Sequence, residues 1–187
     1  MSHEEVEVKL PVADPETGLQ KIRGAAFHVT APRVFEENLV LDTPSGTLRK
    51  GGLLLRVRRA GDSVICTFKG REIPGPHKRR EEREFRASDF EEALAVFRGL
   101  GYSPAFRYEK YRTEFVRGSE PGHVTLDETP VGVFIELEGP AQWIDSSAVE
   151  LGFSRDDYIL ASYGRLYAEW RERHPGAPPD MIFNPRR

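Results

Sequence analysis

The chain has 187 residues, a length that suits one domain with a sizeable core, or a domain followed by a short tail. Apolar residues make up 39% and charged residues 30%, no apolar run is long enough to cross a membrane, and the acidic N-terminus does not resemble a signal peptide. A formal net charge of −3, from 27 basic and 30 acidic residues, argues against a general nucleic-acid-binding protein.

Most of the chain has the period-two alternation of β-strands, with helices between and after them. Strands are predicted, in chain order, at about 3–10, 33–42, 53–60, 63–70, 78–87, 104–117, 121–128 and 132–139. Helices are predicted at about 14–25 with Asp14 as N-cap, from a Ser88–Glu91 capping box to about Leu100, and at about 143–152 and 156–173. Eight strands joined mainly by short turns predict an α+β fold, an eight-stranded antiparallel β-barrel with flanking helices.

Charged side chains recur on one face of successive strands. Glu136 and Glu138 share one face of the last strand, opposite Ile135, because side chains alternate along a strand. In an ordinary barrel such a face would simply be solvated. The amphipathic helices, however, need an apolar sheet face to cover, which would turn the charged faces inward. An inward set of roughly seven carboxylates and seven cations favours a wet lumen with a highly charged ligand, because unpaired buried charge is costly.

The charges themselves indicate what that ligand is. Paired carboxylates, such as Glu5 with Glu7 and Glu136 with Glu138, are hard oxygen ligands suited to Mg²⁺ or Mn²⁺. Lysines and arginines distributed around the wall suit a polyphosphate. Together the two sets predict a site for a divalent metal and a triphosphate.

The order of these residues resembles that of the CYTH superfamily, the triphosphate tunnel metalloenzymes. The signature ExExK is present as Glu5-Val6-Glu7-Val8-Lys9, which alone is a weak signal. The residues that follow in the family's order make it specific: Asn38, Asp42-Thr43, Leu48, Gly52, Arg56-Val57-Arg58, Thr67-Phe68-Lys69-Gly70, Arg80, Glu82, Glu84, Lys110-Tyr111-Arg112, Leu126-Asp127 and Phe134-Ile135-Glu136-Leu137-Glu138-Gly139. The resemblance covers about residues 3–170, and it implies a triphosphate tunnel domain over 1–174. The Pro-rich composition of residues 175–187 predicts an irregular tail.

The resemblance also implies a role for each matching position. It implies ligands for Mg²⁺ or Mn²⁺ at Glu5, Glu7, Asp127, Glu136 and Glu138. It implies triphosphate contacts at Lys9, Arg56, Arg58, Lys69, Arg80, Lys110 and Arg112. Glu82 and Glu84 are predicted to orient water and, with Lys9 and Arg112, to form the catalytic set. Some relatives close over the substrate with a C-terminal lysine, but this chain has none after Lys110, so Arg165 or Arg171 would substitute, or the function is absent.

Three functions are compatible with this sequence. The favoured one is hydrolysis of a small triphosphate, either inorganic triphosphate, thiamine triphosphate or a nucleoside triphosphate. A class IV adenylate cyclase, which converts ATP to cyclic AMP and pyrophosphate, also needs a base-reading pocket that the sequence does not identify. A non-catalytic polyphosphate-binding module would be expected if the metal-ligating carboxylates had been lost, and all five candidates are present.

Cysteine and histidine carry no catalytic signal here. Cys66, the single cysteine, alternates onto an apolar strand face, which predicts core packing. Since one cysteine cannot form an internal disulfide, a reducing cytoplasm is the predicted location. The expected partner is a small triphosphate, and no membrane association is expected. The five histidines (His3, His28, His77, His123, His174) lack metal-ligand spacing, so none is predicted to act in catalysis.

Overall fold

The structure, a computed structural model, describes residues 3–183. The ends of the predicted domain and tail, residues 1–2 and 184–187, lie outside the described residues. The strands are β1 (His3–Val12), β2 (His28–Asp42), β3 (Leu54–Ala60), β4 (Ser63–Lys69), β5 (Lys78–Ala87), β6 (Ser103–Val116), β7 (His123–Thr129) and β8 (Gly132–Glu138). The helices are α1 (Pro15–Gly24), α2 (Thr47–Lys50), α3 (Phe90–Gly99), α4 (Ala141–Glu150) and α5 (Tyr163–Glu172).

The eight strands close into one barrel in which every neighbouring pair is antiparallel. The order around the barrel is β1-β5-β4-β3-β2-β6-β7-β8, so both chain-end strands, β1 and β8, pair with each other and complete the closure. The predicted α+β fold, an eight-stranded antiparallel barrel with flanking helices, is confirmed. None of the described helices is long and apolar enough to cross a membrane.

The apolar faces of the strands lie outside the barrel, beneath the helices. On one side, Val8 and Leu137 of the sheet pack against Ile22 of α1 and Ile144 of α4. A second cluster joins β3 and β4 to α3 and includes Cys66, which is buried as predicted. Because the helices cover the outer apolar faces, the alternate, charged side chains point into the lumen. The barrel is therefore inverted, as the sequence predicts.

The predicted N-cap of α1 is confirmed, whereas that of α3 is wrong by one residue. The Asp14 side chain accepts a hydrogen bond from the Thr17 backbone N–H at 2.8 Å. In α3 the cap is Asp89 and not Ser88, and it accepts from the backbone N–H of Glu92 at 2.9 Å. Aspartate caps a helix as well as serine does, and its charge also interacts favourably with the helix N-terminus.

Strand β2 begins five residues earlier than the sequence predicts. The predicted strand begins at residue 33, directly after Pro32, because a proline cannot donate a backbone hydrogen bond in a regular ladder. In the structure β2 runs from His28, and its pairing with β6 shifts register twice near Pro32, once before it between Val29 and Ala31 and once across it between Ala31 and Val34. These irregularities accommodate the proline within the strand.

The helix predicted over about 156–173 is wrong in its first half. Residues Arg155–Asp157 form one 3₁₀ turn, and α5 begins only after its N-cap Ser162. Between them Ile159 is extended and exchanges two backbone hydrogen bonds with Lys9, at 2.9 and 3.1 Å. The pairing of β1 with β5 ends at Glu7, so Ile159 satisfies backbone groups of Lys9 that β5 does not reach.

The described part of the C-terminal segment packs against β6. Met181 is fully buried, and its backbone bonds to Arg107 and Glu109 at 3.0 and 2.9 Å, extending the sheet as a short parallel bridge. The pairing of β6 with β7 begins only at Tyr111, which leaves this stretch of the β6 edge free. The segment thus covers an exposed strand edge and closes an aromatic cluster beside the lumen.

Candidate functional site

The lumen of the barrel forms a cavity of about 1530 Å³. Predicted site residues from six strands line it, whereas Asp127 of β7 is fully buried beneath the lining side chains of Lys110, Arg112 and Tyr163. The lining members are Glu5, Glu7, Lys9, Arg56, Arg58, Lys69, Arg80, Glu82, Glu84, Lys110, Arg112, Glu136 and Glu138. Alternation along each strand places them on the inner face, as the sequence analysis expects.

Three carboxylates gather at one part of the wall. Glu5 and Glu7 of β1 and Glu138 of β8 each offer an oxygen, and these three oxygens lie within 4.8 Å of one another. Oε2 of Glu5 is buried and has no hydrogen-bond partner among the described residues. Burial, together with the charges of Glu5 and Glu7, raises the pKa of Glu138 to about 8. The cluster therefore brings three carboxyl groups together, of which Glu138 has no lysine or arginine within 4 Å among the described residues, and its hard oxygen donors fit a divalent cation.

Asp127 and Glu136, the other two predicted ligands, lie in a different environment. Asp127 accepts hydrogen bonds from Lys110 Nζ at 2.7 Å, from Arg112 Nε at 2.7 Å and from the Tyr163 hydroxyl at 2.8 Å. Glu136 lies between Arg112 and Lys9, whose Nζ is 3.1 Å away. Burial and the negative charge of Asp127 raise the pKa of Tyr163 well above its ordinary value. These two carboxylates are thus neutralised by the protein itself, outside the three-carboxylate cluster.

The lysines near the cluster pair with its members. Lys69 Nζ lies 2.5 Å from Glu5, Lys9 Nζ lies 3.1 Å from Glu7, and Lys78 also bonds to Glu7. Burial and the positive charge of Lys9 lower the pKa of Lys78 to about 8, although the charge of Glu7 opposes this. Sequence reasoning did not select Lys78, although it shares the inner face of β5 with Arg80.

Arginines line the wall formed by β2 and β3. Arg56 donates to the Tyr108 hydroxyl at 3.1 Å and to Thr67 at 3.0 Å. Arg58 donates to Asn38 at 3.2 Å and lies 3.5 Å from a carboxylate oxygen of Glu36. These contacts hold both guanidinium groups against the wall of the cavity.

Glu36 is a buried carboxylate beside two cavity-lining cations, and the sequence analysis did not select it. Its side chain is almost completely buried between Arg58 and Lys110. Burial alone would raise the pKa of Glu36, but the charges of Lys110 and Arg58 outweigh it and lower the pKa to about 2. The signal was available, since Glu36 has the parity of Asn38, a residue of the recognised motif.

The two glutamates predicted to orient water have opposite electrostatic environments. Burial and the charge of Glu5 raise the pKa of Glu82, although Lys69 lies 3.2 Å away. Burial also disfavours the charged form of Glu84, but a hydrogen bond from Thr67 at 2.6 Å and the nearby Arg56 lower its pKa. Neighbouring carboxyl groups whose pKa values move apart are suited to different proton-transfer roles.

Most residues that line this cavity belong to a segment of the chain that matches a known protein family. The profile of the CYTH domain matches residues 3–159. The chain belongs to the CYTH-domain family. A search among curated proteins found none that matches.

Solved structures share the CYTH fold of this chain along most of its length. A candidate adenylate cyclase from Vibrio parahaemolyticus has a TM-score of 0.76 at 21% identity, covering 90% of this chain and 99% of that one. The PH1819 protein of Pyrococcus horikoshii has a TM-score of 0.73 at 26% identity, with 89% and 99% covered. A candidate adenylyl cyclase of Hippeastrum, described as having a dominant triphosphatase activity, has a TM-score of 0.63 at 18% identity, with 91% and 96% covered.

Cations from α2 and α5 also line the cavity of this CYTH barrel. The side chain of Asp42 accepts hydrogen bonds from the backbone N–H groups of Leu48 and Arg49, at 2.9 and 3.0 Å, which fixes the loop around α2. Arg165 and Arg171 of α5, the two candidates to replace a C-terminal lysine, both line the cavity. Arg165 pairs with Glu169 in the same helix at 3.0 Å.

Proposed function

We propose that this CYTH protein is a divalent-metal-dependent triphosphatase that hydrolyses a small triphosphate inside the barrel. The observation that carries the proposal is the arrangement of the lumen charges. Three clustered carboxylates, of which Glu138 has no lysine or arginine partner among the described residues, lie beside lysines and arginines in a single cavity of about 1530 Å³. A metal–triphosphate complex carries charges complementary to both sets.

Glu5, Glu7 and Glu138 would hold the ion, for which Mg²⁺ and Mn²⁺ are the candidates. The unpartnered, buried Oε2 of Glu5 supports this assignment, because a buried carboxylate oxygen normally has a partner. A divalent ion would supply charge neutralisation at the phosphate oxygens and a lowered pKa for bound water.

The lysines beside the cluster would bind the phosphate oxygens. Lys9, Lys69 and Lys78 are each paired with Glu5 or Glu7. Since those glutamates are the proposed metal ligands, the lysines exchange a carboxylate partner for a phosphate partner when ligand binds. The exchange keeps each buried ammonium paired and therefore avoids a desolvation penalty.

The arginines would orient the substrate. Arg56 is held by Thr67 and Tyr108, and Arg58 by Asn38, so each guanidinium is presented to the cavity in a fixed position. Preorganised donors stabilise the charge that develops on the phosphate oxygens without further rearrangement.

Positioning of the proton-transfer groups would complete the site. Glu82, whose pKa is raised, and Glu84, whose pKa is lowered, lie on the same strand face and would orient the attacking water. Asp127 would act indirectly, because its bonds to Lys110, Arg112 and Tyr163 fix the orientation of the two cations.

The test is incubation of the purified protein with inorganic triphosphate, thiamine triphosphate or ATP in the presence of Mg²⁺ or Mn²⁺. We expect metal-dependent release of orthophosphate. Cyclic AMP with pyrophosphate would instead identify a cyclase, and tight binding without turnover would identify a non-catalytic polyphosphate-binding module. A matched Glu138→Gln variant separates the activity of this site from that of a contaminating phosphatase.

A further inference from the structure

The inner face of β6 changes from cations to aromatic rings along the strand. Arg112, Lys110, Tyr108 and Phe106 are spaced two residues apart, and all four line the cavity. Because a strand rises about 3.3 Å per residue, Phe106 lies roughly 13 Å along β6 from Lys110. One wall of the lumen therefore joins the cations of the proposed phosphate site to an apolar region.

Val40 of β2 and two small residues of α5 complete this region. Val40 is the partner of Phe106 in the register of β2 with β6. Gly164 and Ala168 both line the cavity, and they lie on one side of α5 because they are four residues apart. A Cβ at Gly164 would lie 3.5 Å from the Phe106 ring, so a long side chain there would occupy the space beside the ring. We refer to Val40, Phe106, Gly164 and Ala168 as the apolar patch.

Phe106 is the accessible ring of an aromatic cluster whose other members are tied down. Tyr108 and Tyr167 are buried, and their hydroxyls bond to Arg56 at 3.1 Å and to the backbone oxygen of Pro178 at 2.8 Å. Phe106 is only partly buried, and its ring centroid lies 5.9 Å from that of Tyr108 and 6.0 Å from that of Tyr167. These contacts fix the orientation of Phe106, which therefore presents a preoriented aromatic surface to the cavity.

The apolar patch is adjacent to a residue of the proposed phosphate site. Arg56 is the partner of Val40 in the register of β2 with β3, and paired residues on one sheet face have Cβ atoms about 4.5 to 5.5 Å apart. Arg56 also donates to Tyr108, whose ring packs against Phe106. A group attached to a triphosphate at Arg56 would therefore reach the patch. Inorganic triphosphate carries no apolar group, so it would leave the patch exposed to water.

We propose that the apolar patch binds the aromatic ring of an organic triphosphate, either a nucleobase or a ring of thiamine, and that the protein prefers such a substrate to inorganic triphosphate. This inference rests on the proposed function, because it names the substrate class of the same cavity. The ring stacks on Phe106 beside Val40, in the space that the small residues of α5 leave open. Stacking accepts any base because every base has a π-face, so ATP and CTP should bind about equally well.

The experiment compares substrates that share a triphosphate and differ in the group attached to it. The KM is measured for inorganic triphosphate, ATP, CTP and thiamine triphosphate with the full-length protein, and the lower KM among the organic substrates identifies the source of the ring. Phe106→Ala removes the stacking surface, and Gly164→Leu fills the space beside it. We expect each variant to raise the KM for the preferred organic substrate by about 10-fold relative to the KM for inorganic triphosphate.

Gly99→Leu is the matched control. Gly99 is also a helical glycine, but it is exposed on α3 and does not line the cavity. Gly164 has a helical backbone, and leucine is a better helix former than glycine, so neither substitution strains its helix. We expect Gly99→Leu to leave the ratio of the KM values unchanged, with circular dichroism spectra like that of the wild type for both leucine variants.

Two results would overturn the inference: a wild-type KM for inorganic triphosphate equal to or below those of all the organic substrates, or a ratio of KM values that neither Phe106→Ala nor Gly164→Leu changes. Calorimetric binding of a non-hydrolysable ATP analogue separates this failure from that of the proposed function. Weaker binding of the analogue in both variants, without hydrolysis of any triphosphate by the wild type, would support the patch and refute the triphosphatase. Hydrolysis of inorganic triphosphate with an unchanged ratio would refute the patch and support the triphosphatase.

Discussion

Glu36 offers the sharpest test of the inverted, charged barrel. The change is Glu36→Gln, which preserves side-chain volume but removes a negative charge from between Arg58 and Lys110. Because Glu36 is almost completely buried, water does not replace its carboxylate, so Arg58 loses its carboxylate partner while Lys110 keeps Asp127. We expect the variant to fold less stably than the wild type at neutral pH.

The magnitude follows from the pKa of Glu36. Burial opposes ionisation, but Lys110 and Arg58 lower the pKa from 4.5 to about 2 in the folded protein. Since each pKa unit corresponds to about 1.4 kcal/mol, ionised Glu36 contributes about 3 kcal/mol to stability at pH 7. A carboxyl group with a depressed pKa contributes this stability above its unfolded pKa and loses it as the pH falls through the folded pKa. The contribution is therefore nearly complete above about pH 4.5 and falls by more than half by about pH 3.

The assay is urea unfolding of the wild type and of Glu36→Gln at several values between pH 7 and pH 3. The difference in the free energy of unfolding should be about 3 kcal/mol at pH 7 and should shrink below about pH 4.5. Glu172→Gln is the control, because Glu172 is exposed at the end of α5 and forms no ion pair within the described residues. A difference for Glu36→Gln that stays constant down to pH 3 would refute the electrostatic origin of the effect.

Three further predictions concern the ligand and the tail. In Glu138→Gln we expect loss of metal-dependent turnover with an unchanged circular dichroism spectrum, and turnover equal to that of the wild type would remove Glu138 from the metal site. Ligand at 100 times its Kd should stabilise the wild type by about 2.7 kcal/mol. This stabilisation should appear as a higher Tm for the wild type and should be missing in the variant. Arg56→Ala should raise the KM for triphosphate by about 10- to 100-fold, the value of a charged hydrogen bond, and an unchanged KM in steady-state kinetics would contradict its role. Met181→Ala should lower the free energy of unfolding by about 2 to 4 kcal/mol, because Met181 is fully buried against β6; a smaller loss in urea denaturation would show that the segment contributes little.

The sequence predicted the barrel and most of its inward face because both depend on local alternation. A two-residue period fixes which side chains share a face, and amphipathic helices such as α3 decide which face is covered. That reasoning placed Glu5, Arg56 and Glu138 in one cavity, where the structure finds them. It failed where long-range contacts decide the local conformation, as at Ile159, which pairs with Lys9 instead of continuing a helix.

The partners of the charged residues could not be predicted in the same way. Parity puts Asp127 and Glu138 on the same lumen wall, but it does not distinguish a carboxylate held by Lys110 and Arg112 from one left without a cation. That difference depends on the shear of the barrel, which sets the neighbours across strands. The role of Asp127 as a metal ligand thus stays a prediction, and its contacts favour a positioning role.

The uneven distribution of charge links the fold to its proposed chemistry. If every carboxylate were neutralised as Asp127 is, the lumen would be a self-satisfied polar core with no electrostatic reason to bind a ligand. At Glu138 the opposite holds, because burial and the charges of Glu5 and Glu7 raise its pKa to about 8. The ionised form of Glu138 is therefore unfavourable without a nearby cation. A bound divalent ion would stabilise this ionised form, and that stabilisation would contribute to the affinity for the ion. The proposed metal site thus lies where a lumen carboxylate lacks a cationic partner from the protein, and such electrostatically unfavourable positions are typical of functional sites.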